Sequence, residues 1–324
     1  MLSLEDAGIL IEKKILNLQF PDNPRELYDP VRYILKIGGK RIRPSLVLLG
    51  ANMFNDNVEE ALDPAIAIEI FHNFTLLHDD LMDNSRIRRG QETVHIRWNP
   101  NIAILSGDTM SILANRYVTR VRPEILPQVL ETFNQTAVEV CEGQMMDMNF
   151  ENRGDVSVDE YIRMIELKTS VLIAASLKIG GMVGGASEKQ AHEIYEFGRH
   201  LGIAFQLQDD LLDTYGETRT FGKKIGNDIL TNKKTFLMIS ALENADSLNL
   251  EKLNEWLKRE KFDPEEKVKD IKTIYDACGV KKLTLEKINE YFEASMHELE
   301  KISVPDDRKI VLKTFSENLM KREV

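Results

Sequence analysis

Two segments of the chain repeat one pattern, in which an apolar run with helical spacing ends in three aspartates at positions i, i+1 and i+4. The first segment, EIFHNFTLLHDDLMD, ends at Asp83, and the second, FQLQDDLLD, ends at Asp213. Aspartates four residues apart lie on one face of a helix, and two like charges that close together repel unless a cation lies between them. The repeated pattern therefore predicts two helices that face each other and bind metal ions.

The acids of these two segments are the candidate metal-binding residues. They are Asp79, Asp80 and Asp83 in the first set, and Asp209, Asp210 and Asp213 in the second. Oxygen ligands favour magnesium, which uses one or two carboxylates and completes its coordination with phosphate oxygens. Two adjacent arginines, Arg88 and Arg89, follow the first set and suggest the phosphates. Because each helix is apolar before its aspartates, the expected ligand is a diphosphate with a hydrocarbon tail.

Helical periodicity dominates the chain, and no run alternates as a strand would. We expect an all-α protein with a single domain over residues 1–324, built as one large helical bundle around a deep central cavity. The interval 84–91 is predicted as a loop. The predicted helices are 4–18, 25–35, 44–53, 64–83, 101–119, 123–148, 158–184 with an interruption near Lys168, 188–215, 234–244, 250–259, 264–276, 281–301 and 307–321.

The overall charge and the cysteine content exclude several classes of protein. A formal net charge of −11 argues against a nucleic-acid partner or an anionic membrane surface. The two cysteines, Cys141 and Cys278, exclude a disulfide scaffold and fit a reducing compartment. Because the N-terminus carries acids where a signal peptide has bases, and no stretch of 18 apolar residues occurs, we expect a cytoplasmic protein without stable membrane insertion.

Five motifs in order resemble the polyprenyl synthetase family, the trans-isoprenyl diphosphate synthases. The motifs are GGKRIRP, HDDLMD, RRG, FQLQDDLLD and GKKIGND, and they extend from about Gly38 to Lys233. The resemblance implies the all-α isoprenoid synthase fold and a homodimeric enzyme. It also implies head-to-tail joining of isopentenyl diphosphate to an allylic diphosphate, which is dimethylallyl, geranyl or farnesyl diphosphate. Three magnesium ions are implied, with Asp79, Asp83 and Asp209 as their ligands and the other three aspartates in support.

The same resemblance assigns further side chains to the two substrates. The residues implied to bind isopentenyl diphosphate are Lys40, Arg43, His72 and Arg89. The residues implied to bind or line the allylic substrate are Arg88, Lys168, Thr169, Gln206, Lys223 and Lys233. Lys224 is an alternative to Lys223, because the two are adjacent and the length of this loop varies in the family.

The length of the product is predicted from two phenylalanines that precede the first aspartates. Phe74 lies about 7.5 Å down the helix from Asp79 and Phe71 lies about 12 Å down it. In the family, an aromatic residue at the position of Phe74 accompanies short products, farnesyl or geranylgeranyl diphosphate. The chain lacks the two-residue insertion seen in many bacterial farnesyl diphosphate synthases, which favours geranylgeranyl diphosphate.

Several alternatives are weighed against this reading. A terpene cyclase has a different second metal motif, and a head-to-head synthase has a different acid pattern. A metal phosphohydrolase built on His78 and Asp79 would give the second set of aspartates no role. A longer-chain polyprenyl diphosphate synthase and the non-catalytic subunit of a heteromeric synthase stay open, although such subunits generally have degraded aspartate motifs. Individual residues also have structural explanations, such as solvated acids, surface arginines, a core histidine and core phenylalanines.

Overall fold

The computed structural model describes residues 1–216 and 226–321. Helices make up most of these residues, which confirms the predicted all-α class. The helices are α1 (Leu4–Leu16), α2 (Arg25–Lys36), α3 (Ile42–Asn52), α4 (Leu62–Met82), α5 (Val94–Arg97), α6 (Pro100–Val118), α7 (Leu126–Glu151), α8 (Val158–Ile165), α9 (Val171–Gly184), α10 (Glu188–Tyr215), α11 (Asn227–Leu230), α12 (Phe236–Asn244), α13 (Ser247–Lys258), α14 (Pro264–Ala277), α15 (Val280–Lys301) and α16 (Asp306–Met320).

Local sequence signals account for the start of several helices. Ser157 and Glu160 form the capping box that their spacing predicts, and α8 begins directly after Ser157. Ser187 and Gln190 make the same reciprocal hydrogen bonds at the start of α10. The helix α4 begins two residues before Pro64, so the proline lies in the first turn. Proline is tolerated there because the backbone N–H of a first-turn residue has no helical partner.

The sequence prediction missed the shortest elements. The predicted loop 84–91 contains β1 (Ile87–Arg88), which pairs antiparallel with β2 (Gln91–Glu92). Strands of two residues are too short to show alternation in the sequence. The predicted interruption near Lys168 is a π-helix, Glu166–Ser170, between α8 and α9. The helices α5 and α11, of one turn each, were not predicted.

The described residues form two compact units. The first comprises Met1–Gln135, Ala175–Tyr195 and Ile302–Leu312. Within it α4 packs against α6, and α1, α2 and α3 also contact α4. At Gly180 a β-carbon would clash with the carbonyl oxygen of Val47, so glycine allows the backbones of α3 and α9 to approach closely. The centre of this unit therefore holds α4, the helix that carries the first aspartates.

The second unit comprises the described residues of Thr136–Ala174, Glu196–Lys301 and Lys313–Val324. Its core is apolar and packs the C-terminal half of α10 with α8, α12, α14 and α15; Tyr161, Leu207 and Leu211 are fully buried there. This core fixes the end of α10, which carries the second aspartates. The expectation of one domain over the whole chain stays a prediction.

One stretch, Val158–Gly184, is long and apolar enough to cross a membrane by length and composition. Of its most apolar 18-residue window, 78% is buried inside the protein. This burial is typical of a core helix.

Candidate active site

The first set of aspartates lies at the C-terminal end of α4. Asp79 is half-buried in the last turn, Asp80 is buried, and Asp83 is exposed as the residue that caps the helix. The backbone N–H of Asp83 donates to the carbonyl oxygen of Asp79 at 2.9 Å, which keeps the two residues one turn apart. The structure therefore leaves Asp79 and Asp83 accessible and buries only the middle acid.

Asp80 is paired with an arginine of the following hairpin. The Nε atom of Arg88 donates to both oxygens of Asp80 at 2.8 Å, and a terminal guanidinium nitrogen of Arg88 lies 3.6 Å from Asp79. Burial raises the pKa of Asp80, whereas the adjacent Arg88 lowers it; burial is the larger effect. The short hairpin thus brings an arginine that the sequence assigns to the substrate into contact with the aspartates.

Three of the four residues that the sequence assigns to isopentenyl diphosphate make local contacts in the first unit. Arg43, in the first turn of α3, lies 3.3 Å from Nε2 of His72 on α4. Arg89 donates to the carbonyl oxygen of Gly38, two residues before the exposed Lys40. We call Lys40, Arg43, His72 and Arg89 the basic cluster.

The histidine of the basic cluster is held neutral by its surroundings. Burial, followed by the positive charges of Arg43 and Arg89, holds the pKa of His72 well below its usual range. A neutral imidazole can accept a hydrogen bond from an arginine and donate one to an anion. The cluster can therefore bind a phosphate group through cations and one neutral donor.

The two phenylalanines assigned to product length belong to an aromatic group beside α4. The rings of Phe71 and Phe74 lie 5.6 Å apart, and Phe133 on α7 lies 5.4 Å from Phe71. On its other side Phe74 contacts His78 in an edge-to-face arrangement at 4.8 Å. Phe71 is buried and Phe74 is half-buried, so Phe74 is the more accessible ring.

The second set of aspartates lies near the end of α10 and has the same distribution of burial. Asp210 is buried, whereas Asp209 and Asp213 are partly exposed. Asp210 accepts hydrogen bonds from the hydroxyl of Tyr161 and from the amide of Gln206, the latter at 2.9 Å. Burial and the charge of Asp228 raise the pKa of Asp210 to about 7.

The third acid of this set organises the chain that follows. A carboxylate oxygen of Asp213 accepts from the backbone N–H of Asp228 at 3.0 Å. Lys233 then lies partly buried after α11, and its backbone N–H donates to the carbonyl oxygen of Asp228 at 2.9 Å. The positive charge of Lys233 acts to lower the pKa of Asp210, so this lysine belongs to the same electrostatic environment. The predictions for Lys223 and Lys224 lie outside the described residues.

Lys168 and Thr169 are presented by the π-helix of the second unit. A π-helix adds a residue to a turn and is frequent at functional sites. The Nζ atom of Lys168 lies 2.6 Å from Oδ2 of Asp147 on α7, and the hydroxyl of Thr169 donates to Gln206 at 3.1 Å. Sequence reasoning missed Asp147, although an acid in the methionine-rich run MMDM on a long helix is a detectable signal.

The carboxylates of each set suit a hard cation that also binds oxygen atoms of a ligand. Within residues 1–216 and 226–321, no three His, Cys, Asp or Glu side chains lie close enough together to hold a metal ion among themselves. Magnesium commonly takes only one or two carboxylates and completes its octahedron with water and phosphate oxygens. The members that are at least partly exposed, which include the predicted ligands Asp79, Asp83 and Asp209, therefore fit magnesium better than a metal that requires a complete protein cage.

Comparisons with known proteins identify the family of the chain. The model of the polyprenyl synthetase family matches residues 24–277. The geranylgeranyl diphosphate synthase of Methanosarcina mazei is 42% identical over 229 residues, which are 70% of this chain and 71% of that protein. The geranylfarnesyl diphosphate synthase of Natronomonas pharaonis is 36% identical over 259 residues, which are 73% and 76%.

A solved structure of a geranylgeranyl pyrophosphate synthase is similar over the full length of both chains. It superimposes with a TM-score of 0.95 at 42% sequence identity and covers 100% of each chain. The matched family model includes both sets of aspartates, the basic cluster and the π-helix. The chain therefore belongs to the polyprenyl synthetase family.

Proposed function

We propose that this short-chain trans-prenyltransferase makes geranylgeranyl diphosphate by adding isopentenyl diphosphate to dimethylallyl, geranyl and farnesyl diphosphate. The observation that carries the choice of product is the aromatic group formed by Phe71 and Phe74 of α4, the helix that ends in the first aspartates, with Phe133 of α7. Large rings at these positions limit the room for a growing hydrocarbon chain. The relative from Methanosarcina mazei supports the same product.

Magnesium is the cofactor of this proposal, with three ions bound in the presence of diphosphate. Asp79, Asp83 and Asp209 would hold them, since Asp80 and Asp210 are buried and paired with protein groups. Bound magnesium would neutralise the charge of a diphosphate leaving group. The two buried aspartates would have a supporting role: Asp80 fixes Arg88, and Asp210 fixes Gln206.

The basic cluster would bind isopentenyl diphosphate. The planar guanidinium groups of Arg43 and Arg89 suit a phosphate, and the flexible, exposed Lys40 supplies a further charge. His72, held neutral, would donate one hydrogen bond from the ring. These residues orient the substrate so that its double bond points to the reacting carbon.

The allylic diphosphate would be bound by Arg88, Lys168 and the lysines of residues 223 and 233. Lys168 is held by Asp147, and Arg88 is held by Asp80, so neither cation needs to reorganise when the substrate binds. Preorganised charge of this kind stabilises the negative charge that develops on a leaving group. Thr169 and Gln206 would lie along the reacting carbons.

The reaction follows from these roles. The allylic carbon–oxygen bond breaks, which leaves a delocalised carbocation and free diphosphate. The double bond of isopentenyl diphosphate attacks the cation, a carbon–carbon bond forms, and a proton is then lost to the departing diphosphate. The cationic side chains of this protein would stabilise the diphosphate as it leaves.

Two other products or roles are tested in the same experiment. The similarity to the geranylfarnesyl diphosphate synthase of Natronomonas pharaonis supports a longer product as the alternative. A non-catalytic subunit would yield no product by itself, although both sets of aspartates are complete in this chain. Purified protein is incubated with magnesium, labelled isopentenyl diphosphate and each allylic primer in turn, and the products are separated by length. A product of 20 carbons supports the proposal, and a product of 15 carbons would instead make farnesyl diphosphate the end product. A product of 25 or more carbons favours the longer-chain enzyme, and no product with any primer overturns the catalytic role.

We also propose that the protein is a cytoplasmic homodimer. Exposed apolar side chains on α6 support a partner surface: Ile104, Leu105 and Ile112 are 43%, 60% and 64% exposed. Because 104, 105 and 112 fall on neighbouring positions of one helix, they form a surface that water solvates poorly. Light scattering gives the mass in solution, and replacement of Ile112 by Glu should lower it; a wild-type monomer would contradict the proposal.

A further inference from the structure

We infer that Arg41, Glu69 and Asn73 form a buried anchor that positions the basic cluster for isopentenyl diphosphate. The inference rests on the proposed function, because it assumes that the basic cluster binds that substrate. None of the three residues was assigned a role from the sequence. Each is buried, with exposures of 5%, 3% and 1%, so they act through their neighbours.

The backbone conformation of Arg41 requires an explanation. Arg41 lies between Lys40 and Arg43, directly before α3, and has a φ of +48° in the left-handed region. A residue with a β-carbon is uncommon there, and it stays there only when its surroundings fix it. The side chain of Arg41 is buried, whereas that of the preceding Lys40 is exposed. The strained turn therefore separates an inward-pointing cation from an exposed one.

The contacts of Arg41 supply the restraint. Its Nη1 atom lies 2.5 Å from a carboxylate oxygen of Glu69, and its Nη2 atom donates to the carbonyl oxygen of Leu35 at 2.6 Å. Its Nε atom donates to Glu12 at 2.9 Å. All three guanidinium nitrogens thus have acceptors, on α1, α2 and α4. A planar group held from three helices has one position, and the loop that carries it is fixed accordingly.

The anchor is attached to the helix that carries the rest of the site. Glu69 lies on α4, one turn before Asn73, and the side-chain amide of Asn73 donates at 2.8 Å to both the backbone carbonyl and the carboxylate of Glu69. His72 lies between them in the same turn, and its Nε2 atom is 3.3 Å from Nη1 of Arg43. The segment of residues 40–43, which comprises the end of the loop and the first turn of α3, is therefore joined to α4 at two points. One is the pair of Arg41 with Glu69, and the other is the contact of Arg43 with His72.

The charge of Glu69 also acts on the basic cluster. Burial lowers the pKa of Arg89, the charge of Glu69 raises it, and the positive charge of Arg41 lowers it again. Without Glu69, the cluster would have an additional buried positive charge beside it. The carboxylate of Glu69 thus offsets the repulsion between Arg41 and Arg89.

A purely structural role for the ion pair makes a different prediction. Apolar residues of similar volume often replace a buried ion pair with little loss of stability, whereas removal of one partner is strongly destabilising. A double variant, Arg41→Met with Glu69→Leu, should therefore recover thermal stability relative to Arg41→Met alone. If the pair only supports folding, substrate binding should recover with stability. If the pair positions the loop, substrate binding should stay impaired.

The test measures KM for each substrate and the thermal midpoint in wild type, Arg41→Met, Glu69→Gln and the double variant. We expect the KM for isopentenyl diphosphate to rise about tenfold to hundredfold in all three variants, since small displacements of positioning groups have effects of this size. The KM for the allylic diphosphate should stay near that of the wild type.

The matched control is Arg308→Met. Arg308 donates at 3.1 Å to the carbonyl oxygen of Asn52, at the other end of α3, and pairs with Asp56 at 2.6 Å. The variant therefore removes an arginine–carboxylate pair beside the C-terminal end of α3 without touching the loop before α3, and it should leave both KM values unchanged. Wild-type protein without any prenyltransferase product would overturn the proposed function. An active wild type, together with variants whose two KM values change equally or not at all, would overturn this inference alone.

Discussion

Arg88 binds Asp80 through its Nε atom, which lies 2.8 Å from both oxygens of that carboxylate. The middle aspartate of the first set is thus occupied by an arginine and buried, while the aspartates on either side are more exposed. The motif contains two different roles: accessible acids that suit a metal, and a buried acid that holds a cation in place.

We predict that Asp80→Asn impairs binding of the allylic diphosphate. The amide keeps the size of the side chain but loses the charge that fixes Arg88, so the KM for the allylic substrate should rise by about tenfold. The KM for isopentenyl diphosphate serves as the internal control and should change little. Steady-state kinetics with each substrate varied in turn make the measurement, and equal changes in both KM values would contradict the assigned role.

A second prediction concerns the proposed metal ligands. Asp79→Ala and Asp209→Ala should each reduce turnover by about 10³-fold or more, because the charge of the leaving group is then poorly neutralised. Far-ultraviolet circular dichroism should show an unchanged helix content. Near-normal turnover in both variants, across a titration of magnesium, would end the assignment. Glu251, an exposed acid on α13, offers a matched control as Glu251→Ala.

The sequence alone predicted the helices and the main chemistry because both depend on local patterns. Helical spacing, capping boxes and the aspartates at i, i+1 and i+4 can each be read within one or two turns. The pairs Arg88 with Asp80, Lys168 with Asp147 and Arg41 with Glu69 are different. The last two join residues 21 and 28 positions apart, on separate elements. One sequence does not reveal such pairing, since several acids lie at similar distances along the chain.

The exact helix boundaries show the same limit on a smaller scale. The prediction extended α1 to residue 18, but the helix ends at Leu16, and Asn17 caps it. Asparagine accepts and donates local hydrogen bonds that compete with a further turn. The two-residue strands around Arg88 escaped prediction because their pairing depends on a hairpin and not on side-chain alternation. The positions of the arginines, unlike those of the aspartates, therefore required the structure.

A third prediction follows from the contact between Lys168 and Asp147, whose Nζ and Oδ2 atoms are 2.6 Å apart. Replacement of Asp147 by Asn should leave the lysine charged but less well oriented. We expect the KM for the allylic diphosphate to rise by about tenfold, with a smaller change in the KM for isopentenyl diphosphate. Kinetics of Asp147→Asn beside Glu151→Gln, a neutralisation at the exposed end of the same helix, make the comparison. Identical kinetics for the two variants would argue against a positioning role for Asp147.

A fourth prediction concerns the pH dependence of stability. Burial and the charge of Asp228 raise the pKa of Asp210 to about 7, above its value in an unfolded chain. The folded state then holds the proton more tightly, so this contribution to stability is complete at acidic pH and is lost as the pH rises through about 7. Without magnesium, Asp210→Asn should therefore raise the thermal midpoint relative to wild type at pH 8 but not at pH 4.

The measurement is thermal unfolding followed by circular dichroism at both pH values in the presence of a chelator. The charge of Asp228 acts on Asp210, and the side chains of Tyr161 and Gln206 donate hydrogen bonds to Asp210. Asp210→Asn keeps the size of the side chain and removes its charge. Asp246→Asn, at an exposed helix N-cap in the same unit, provides a control, and it should change stability little at either pH because asparagine caps a helix about as well as aspartate. A midpoint difference that is equal at the two pH values would contradict the titration of Asp210.

The last prediction tests the aromatic limit on product length. Phe74 is half-buried between Phe71 and His78, with ring centroids at 5.6 Å and 4.8 Å. Phe74→Ala removes the more accessible ring, so the hydrocarbon chain can extend toward Phe71, and products longer than those of wild type should appear. Phe71→Ala alone should lengthen the product less, because Phe74 still lies between that position and the aspartates. In the double variant the two effects should combine.

Chromatography of the dephosphorylated products measures the chain lengths. Phe54→Ala is the matched control, since Phe54 is also half-buried in the first unit but follows α3 and packs near Gly181 of α9. It removes the same ring and should leave the product distribution unchanged. If Phe74→Ala and Phe54→Ala both give the product of the wild type, the rings beside α4 do not limit the chain. If both variants lengthen it, the change reflects a general loosening of the core and not a specific barrier.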